Sequence, residues 1–291
     1  MFRERIASKC ICCDSKNLYK SPAVLMPFVA KRVFDHEPVM ITPEWGMRDL
    51  KLGMAYSVCN TIQCTDCGIL FLDMRFSAKE MALLYDNYRS EEYTSLREYY
   101  EPGYRKTNDF YSNRGTYISK IEEFLRPYLP SSPAILDWGG DTGINTPLLE
   151  QAGIVHIYDI SNKPTVGIAQ SVDLPTVKRS KYDLIVCSMV LEHVSYPLDF
   201  INEIVSIMDR DTLFYLEVPF EVAMQNITES KEFHPVKRHW HEHINFFSEK
   251  SLHILVERAG LELLKLKSIN ASEGWRDDRN ACVFSFLCRL R

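Results

Sequence analysis

The sequence has no apolar run long enough to cross a bilayer. The longest, AVLMPFVA, covers residues 23–30 and is interrupted by Pro27, whereas a spanning helix needs roughly 20 apolar residues. A secretory signal is also missing: MFRERIASKC is charged and leads into no apolar h-region, so a cytoplasmic location is expected. Positive charge is not in excess. Thirty-four Lys and Arg stand against 39 Asp and Glu, a net charge of -5, which disfavours a dedicated nucleic-acid binder because binding phosphates calls for a basic face. No internal repeat and no low-complexity tract is present, which excludes solenoid and linker architectures. What remains is ordinary for a globular chain: 291 residues, 46% apolar and 25% charged, enough for one large domain or two smaller ones.

Cysteine is where the sequence departs from the ordinary. Nine cysteines with no export signal are not expected to form disulfides, because the cytosol keeps thiols reduced. Cys187, Cys282 and Cys288 sit in apolar strand-like runs and suit buried small hydrophobes. The other six, Cys10, Cys12, Cys13, Cys59, Cys64 and Cys67, crowd into the first 67 residues. Cys10-x-x-Cys13 and Cys64-x-x-Cys67-Gly are two knuckles, each able to present two thiolates from a tight turn. Together they make a four-thiolate zinc site. Cys12 and Cys59 are possible substitutes within that ligand set.

Three zones follow from the periodicity. Residues 1–76 carry the cysteines, little regular periodicity, and turn formers around both clusters. Residues 77–130 read as a helical linker or cap: Ser77 with Glu80 forms a capping-box pattern ahead of MALLYDNY, and YISKIEEFLRPYL has helical spacing up to Pro127 and Pro130. Between these helices lies a stretch rich in Tyr and Arg. From 131 to 291 the rhythm is strand–helix. AILDW, IVHIYDI, YDLIVCS, TLFYLEV, LELLKLKSI and ACVFSFLCRL read as strands, and INTPLLEQAG, PLDFINEIVSIM and EKSLHILVERAG as helices. Alternation of this kind implies an α/β fold with a mostly parallel sheet covered on both faces.

ILDWGGDTG follows the first of those strands and opens the next element. Gly139, Gly140 and Gly143 allow a sharp turn and close backbone approach to a ligand. The dinucleotide pattern G-x-G-x-x-G does not fit, since Asp141 and Ile144 stand where it needs glycine. The pattern is acid-x-Gly-x-x-x-Gly, beginning at Asp137. Sixteen residues past Gly143, Asp159 ends the second strand, where a carboxylate can accept hydrogen bonds from both ribose hydroxyls.

This combination resembles the class I S-adenosylmethionine-dependent methyltransferases, whose first motif is usually acid-x-Gly-x-Gly-x-Gly; here Asp141 replaces the middle glycine. YDLIVCSMVLEHVSYPLDFINEI looks like the family's fourth-strand motif and LFYLEVP like its fifth strand, and the match runs over roughly 134–290. The resemblance implies a Rossmann-like sheet of seven strands with the last, ACVFSFLCRL, antiparallel. It also implies S-adenosyl-L-methionine as cofactor, with Asp137, Gly139, Gly140, Gly143 and Asp159 as its binding residues.

CTDCGILFLDMRFSAKEMALLYDNYRSEEY is similar to the end of the zinc-binding N-terminal domain of sugar C-methyltransferases. That narrower resemblance implies a structural zinc on Cys10, Cys13, Cys64 and Cys67 and a small domain covering the acceptor pocket. It also implies a small-molecule acceptor, a sugar or nucleotide-sugar. Tyr85, Tyr88 and Tyr93 then lie over the cleft, either on the acceptor or in helix packing. In HWHEHINFFS, His239, His241 and His243 would share a face if the segment is extended. It is not an HExxH motif. The resemblance aligns Glu242 and His243 with the family's catalytic Glu-His, with Trp240 in place of a tyrosine, and His193 with a further active-site histidine. A neutral imidazole with a pKa near ~6.5 suits proton removal from a methyl acceptor, so His243 is the candidate base. Glu242 would orient it or bind a hydroxyl, and His193 would polarise the acceptor. Transfer to carbon and to oxygen are equally compatible. The alternatives are a zinc-bearing RNA methyltransferase and a non-catalytic binding protein of the same fold.

Overall fold

The computed structural model describes residues 4–40, 59–161, 163–225, 234–271 and 281–291; residues 41–58 of the first zone lie outside them. In chain order the elements are β1 (Leu18–Leu25), α1 (Pro27–Phe34), β2 (Cys59–Cys64), β3 (Leu70–Leu72), α2 (Ala78–Tyr85), α3 (Glu91–Tyr100), α4 (Tyr104–Tyr111), α5 (Ile118–Leu125), β4 (Ala134–Trp138), β5 (Ile154–Tyr158), β6 (Ala169–Ser171), α6 (Leu174–Arg179), β7 (Leu184–Ser188), α7 (Pro197–Val205), β8 (Leu213–Phe220), α8 (Val222–Gln225), β9 (His239–Trp240), β10 (Asn245–Phe246), α9 (Glu249–Arg258), β11 (Leu261–Asn270) and β12 (Cys282–Leu290). None of the described helices is long and apolar enough to cross a membrane.

The larger sheet has seven strands in the order β6-β5-β4-β7-β8-β12-β11. Its first five strands run parallel, and β12 is antiparallel to both β8 and β11. This is the seven-stranded α/β sheet expected of a class I methyltransferase, with ACVFSFLCRL as the antiparallel strand. Strands read as continuous apolar runs because both faces are covered. Leu136, Ile185, Cys187, Phe214 and Leu216 face a core shared with α7 and α9, while Ile135, Leu184, Val186 and Tyr215 face one shared with α5.

Several local patterns hold. Ser77 and Glu80 form both halves of the capping box on α2. The helix expected over INTPLLEQAG does not form; residues 147–151 are turns. Pro147 offers no N–H to a helical ladder, and Leu148 is left-handed, with φ 59°. Strand β6 escaped the sequence reading because AQS is short, polar and half exposed at the sheet edge.

The second sheet was not legible in residues 1–76. It has five strands, β10-β3-β2-β1-β9. Three come from the cysteine-bearing zone and two from the histidine stretch. Val24 and Leu25 pair with His239 and Trp240, and Phe71 and Leu70 pair with Asn245 and Phe246. The segment that carries Glu242 and His243 is therefore held at both ends by the N-terminal sheet.

Candidate active site

The glycine loop leaves β4 at Trp138. Gly139 and Gly143 lie in the left-handed region, φ 89° and 79°. Asp141 does too, at φ 52°, a conformation that Asp tolerates better than most side chains. The backbone shape that glycine serves in the related motif is kept here by an aspartate. Its carboxylate is tied to Lys163 at 2.8 Å and Arg89 at 3.4 Å. Gly140 is needed for space: a Cβ there would stand 2.6 Å from the Asp137 carboxyl carbon. Asp137 thus lies packed beneath the loop. It accepts a hydrogen bond from Thr146 Oγ1 at 2.6 Å, and burial pushes its pKa up to about 7. Asp159, one residue beyond β5, accepts the Asp141 N–H at 3.0 Å and the Ser161 N–H at 2.7 Å. The five residues expected at the cofactor are therefore brought into one loop and its rim.

The turn after β7 supplies Glu192 and His193, and the loop between β9 and β10 supplies His241, Glu242 and His243. Asn245 joins the two. Its amide donates to the Leu191 and Val194 carbonyls at 2.8 and 2.7 Å, and its oxygen accepts from the buried Arg75 at 2.8 Å. The backbone N–H groups of Ile244 and Asn245 both donate to the Glu192 carbonyl, at 2.8 and 3.0 Å. As a result the His193 and His243 rings meet edge to face, centroids 4.7 Å apart. His193 Nδ1 lies 3.0 Å from the Glu242 carbonyl and 2.7 Å from the Tyr85 hydroxyl at the end of α2.

Charge is divided unevenly in this cluster. Burial, and then the neighbouring His243, lower His193 to about 3, so it is a neutral ring. His243 behaves in the opposite way. Burial alone would lower it, but the Glu221 carboxylate, 2.7 Å from its Nδ1, raises it to about 9. The neutral imidazole expected at His243 is therefore an imidazolium at neutral pH, because Glu221 stabilises the charged ring. The Glu242 carboxylate pairs with Arg97. Against burial, Arg97 and the surrounding imidazoles hold its carboxyl well below the usual range, and Arg97 Nη2 lies 2.5 Å from its Oε1. Burial pushes Glu192 up to about 8, and burial also lowers His241 to about 4.

The other sequence candidates separate. His239 is exposed on β9, and the segment bends after Trp240, so the three alternating histidines do not share a face. Trp240 is fully buried in the N-terminal sheet, its indole N–H donating to Thr61 Oγ1 at 2.8 Å. Its place is in that core. Tyr93 is core as well, 1% exposed, and Tyr88 stacks edge to face between Tyr85 and Tyr93. Only Tyr85 reaches His193. Glu221, Arg97, Asn245 and Glu192 were missed by sequence reasoning. The one local signal was Glu192, adjacent to His193 in the LEHV run.

The cysteines converge as the two knuckles predict. The thiols of Cys10, Cys13, Cys64 and Cys67 all lie within 4.8 Å of one another, with Cys10–Cys67 and Cys13–Cys64 sulfur distances of 3.5 Å. A tetrahedral zinc with Zn–S bonds of about 2.3 Å separates its sulfurs by roughly 3.8 Å, so this donor set fits the ion. Cys59 instead donates to the Ala23 carbonyl, and Cys12 lies outside the group of four.

The family model described as "Methyltransferase domain" matches residues 110–266, more than half of the chain. No curated protein matches. Similar solved structures include the Burkholderia thailandensis 1,6-didemethyltoxoflavin-N1-methyltransferase with bound 1,6-didemethyltoxoflavin and S-adenosylhomocysteine. It is 17% identical, covering 79% of this chain and 95% of that chain, with a TM-score of 0.49. Another is the magnesium protoporphyrin IX methyltransferase of Synechocystis PCC 6803, at 13% identity, 72% and 100% coverage and a TM-score of 0.44. A third is a glycopeptide N-methyltransferase complexed with sinefungin, at 13%, 60% and 94%, and 0.43. With its glycine loop, seven-stranded order and family match, the chain belongs to the methyltransferase domain family and has the class I S-adenosylmethionine-dependent methyltransferase fold.

Proposed function

We propose that this chain transfers the sulfonium methyl group of S-adenosylmethionine to a small sugar-linked acceptor, at an oxygen or at a carbon next to a carbonyl. An acceptor lone pair forms the new bond to the methyl carbon. The carbon–sulfur bond breaks with its electron pair remaining on sulfur, giving S-adenosylhomocysteine. The acceptor's proton passes to the Glu221–His243 pair, whose imidazole must first release the proton it carries. The observation that supports this most is the packing of His193 against His243, with Glu192, Glu221 and Glu242 around them, beyond the C-terminal ends of β7 and β8. In open α/β sheets that edge is where ligands bind. Tyr85 of α2 walls the cluster on the cap side. The sugar assignment is supported by the likeness of the cysteine pairs and the Glu242-His243 motif to the sugar C-methyltransferases. A zinc on Cys10, Cys13, Cys64 and Cys67 would be structural and hold the sheet that carries β9 and β10.

Cofactor binding is tested by calorimetry. The wild type should bind S-adenosylmethionine, and Asp159→Ala should weaken it by about 1.5–3 kcal/mol, the range for a hydrogen bond to a charged group. Equal affinity in the two proteins would remove Asp159 from the ribose. The acceptor class is tested with a panel of nucleotide-linked sugars. With the accepted compound, His243→Asn should lower kcat by about 100-fold or more, the usual scale of general-base catalysis, while cofactor affinity stays within twofold. Undiminished turnover would exclude His243 from proton transfer.

A further inference from the structure

Glu192, His193 and His243 share a feature that proton transfer does not require. One ligand atom from each lies within 4.8 Å of the others. Both rings have Nδ1 turned to an acceptor: the Glu242 carbonyl at 3.0 Å for His193, whose Nδ1 also meets the Tyr85 hydroxyl at 2.7 Å, and the Glu221 carboxylate at 2.7 Å for His243. With Nδ1 donating, each ring presents a lone pair at Nε2 once the ion displaces any proton held there. Nε2 of His193 lies 3.8 Å from Glu192 Oε1. Glu192 is 1% exposed, and its Oε2 has no hydrogen-bond partner among the described residues. A buried carboxyl oxygen left without a partner is unfavourable, and a cation that takes the place of the acid proton removes the penalty.

Metal-binding histidines almost always donate their second ring N–H to a carboxylate or a backbone carbonyl, which fixes tautomer and orientation. Here one ring does each. Two imidazoles and one carboxylate leave coordination positions open, as in catalytic zinc sites and two-histidine, one-carboxylate ferrous sites. The side chains of His193 and His243 remain 19% and 27% exposed, so a ligand from solvent can reach them. Three acidic side chains, Glu192, Glu221 and Glu242, gather here, and only Glu242 has an arginine partner among the described residues.

We propose that Glu192, His193 and His243 bind a divalent transition-metal ion of the zinc or ferrous class, separate from the four-cysteine site. Bonds of about 2.0–2.1 Å to nitrogen draw the three ligands closer than they stand, through side-chain rotation. This rests on the acceptor position proposed above and changes how the acceptor is activated there. The ion would take an acceptor oxygen at an open position and make the acceptor's proton easier to lose to solvent water, in place of the His243 imidazole, which as a ligand no longer takes it.

The test uses the full chain, stripped of metal and titrated with Co²⁺, followed by absorption and elemental analysis. Thiolate ligands give intense charge-transfer bands, whereas nitrogen and oxygen ligands give only weak d–d bands. Two ions per chain are expected, one of each type. Glu192→Gln and the double variant His193→Ala/His243→Ala should each lose the nitrogen–oxygen type and keep the thiolate type, which also reports that the N-terminal fold persists. A wild type that holds cobalt through thiolates alone overturns the proposal. If that protein still methylates its acceptor, the proton-transfer reading stands without the ion. If both ions bind and no sugar-linked acceptor turns over, the ion site stands and the acceptor reading fails.

Discussion

Replacing Cys64 and Cys67 together by serine should unfold the five-stranded sheet and abolish methyl transfer, although neither residue belongs to the proposed acceptor site. Apparent binding free energies of structural zinc reach about 10–16 kcal/mol, and that energy is folding energy where the site does not exist in the unfolded chain. The four thiols cannot all ionise without a cation. Hydrogen bonds from Cys12 and Cys67 draw Cys10 down to about 2, while burial pushes Cys13 up to about 12. Cys64 is the last residue of β2, the strand paired with both β1 and β3. Those two strands hold β9 and β10. Loss of the knuckle therefore loosens Trp240 and Asn245, and with them the placing of His243 against His193. Cysteine also anchors the sheet to the rest of the chain, since Ser248 at the start of α9 donates to the Cys67 carbonyl at 2.6 Å. Elemental analysis should find zinc in the wild type and in Cys12→Ala and Cys59→Ala, and none at this site in the serine variant. A serine variant that keeps full ellipticity and turnover would show that the four thiols are only packed hydrophobes.

Arg97→Met should cost about 3–5 kcal/mol of stability, the usual penalty for removing one partner of a buried ion pair. Arg97 is 7% exposed, on α3, and it donates to Glu242 at 2.5 Å and to Glu101 at 2.8 Å. Its guanidinium lies 4.1 Å over the Tyr104 ring and 5.1 Å over Phe28, which methionine replaces only in volume. The sign of the pH dependence follows from Glu242. Its carboxyl is held below the ordinary value of 4.5 in the folded chain. The stabilisation it contributes is therefore present above about pH 4.5 and lost as pH falls through the folded value. The defect of Arg97→Met should be greatest near neutrality and shrink in acid, where the stranded carboxylate takes up a proton. Adding Glu242→Gln should recover part of the loss at neutral pH. Urea denaturation at pH 7 and pH 4.5 reads both effects, and a pH-independent difference would mean that Arg97 acts through packing alone.

The parts that were legible in the sequence are those governed by neighbours along the chain. The glycine turn is a matter of local backbone conformation. The sheet strands are short apolar runs, and each cysteine knuckle closes within four residues. Asp141 shows the limit of a motif read by letter: it keeps the left-handed backbone that the pattern assigns to glycine. Pro147 and Leu148 show the limit of periodicity, since apolar spacing for a helix is present and the backbone still turns.

The site's chemistry was not legible for a different reason. HWHEHINFFS has the right residues, but the charge of an imidazole is set by what lies within a few ångströms of it. Glu221 is 22 residues from His243 in the chain, and Arg97 is 145 from Glu242. By itself the sequence determined the methyltransferase family, the fold class of the larger sheet and the two cysteine knuckles, because each is encoded in a contiguous pattern. Only the tertiary structure decided that Trp240 is core, that burial disfavours charge on His193 while Glu221 favours it on His243, and that Glu192 lies beside both histidines. Those properties depend on burial and on Coulomb interactions between residues the chain places far apart and the two sheets bring together.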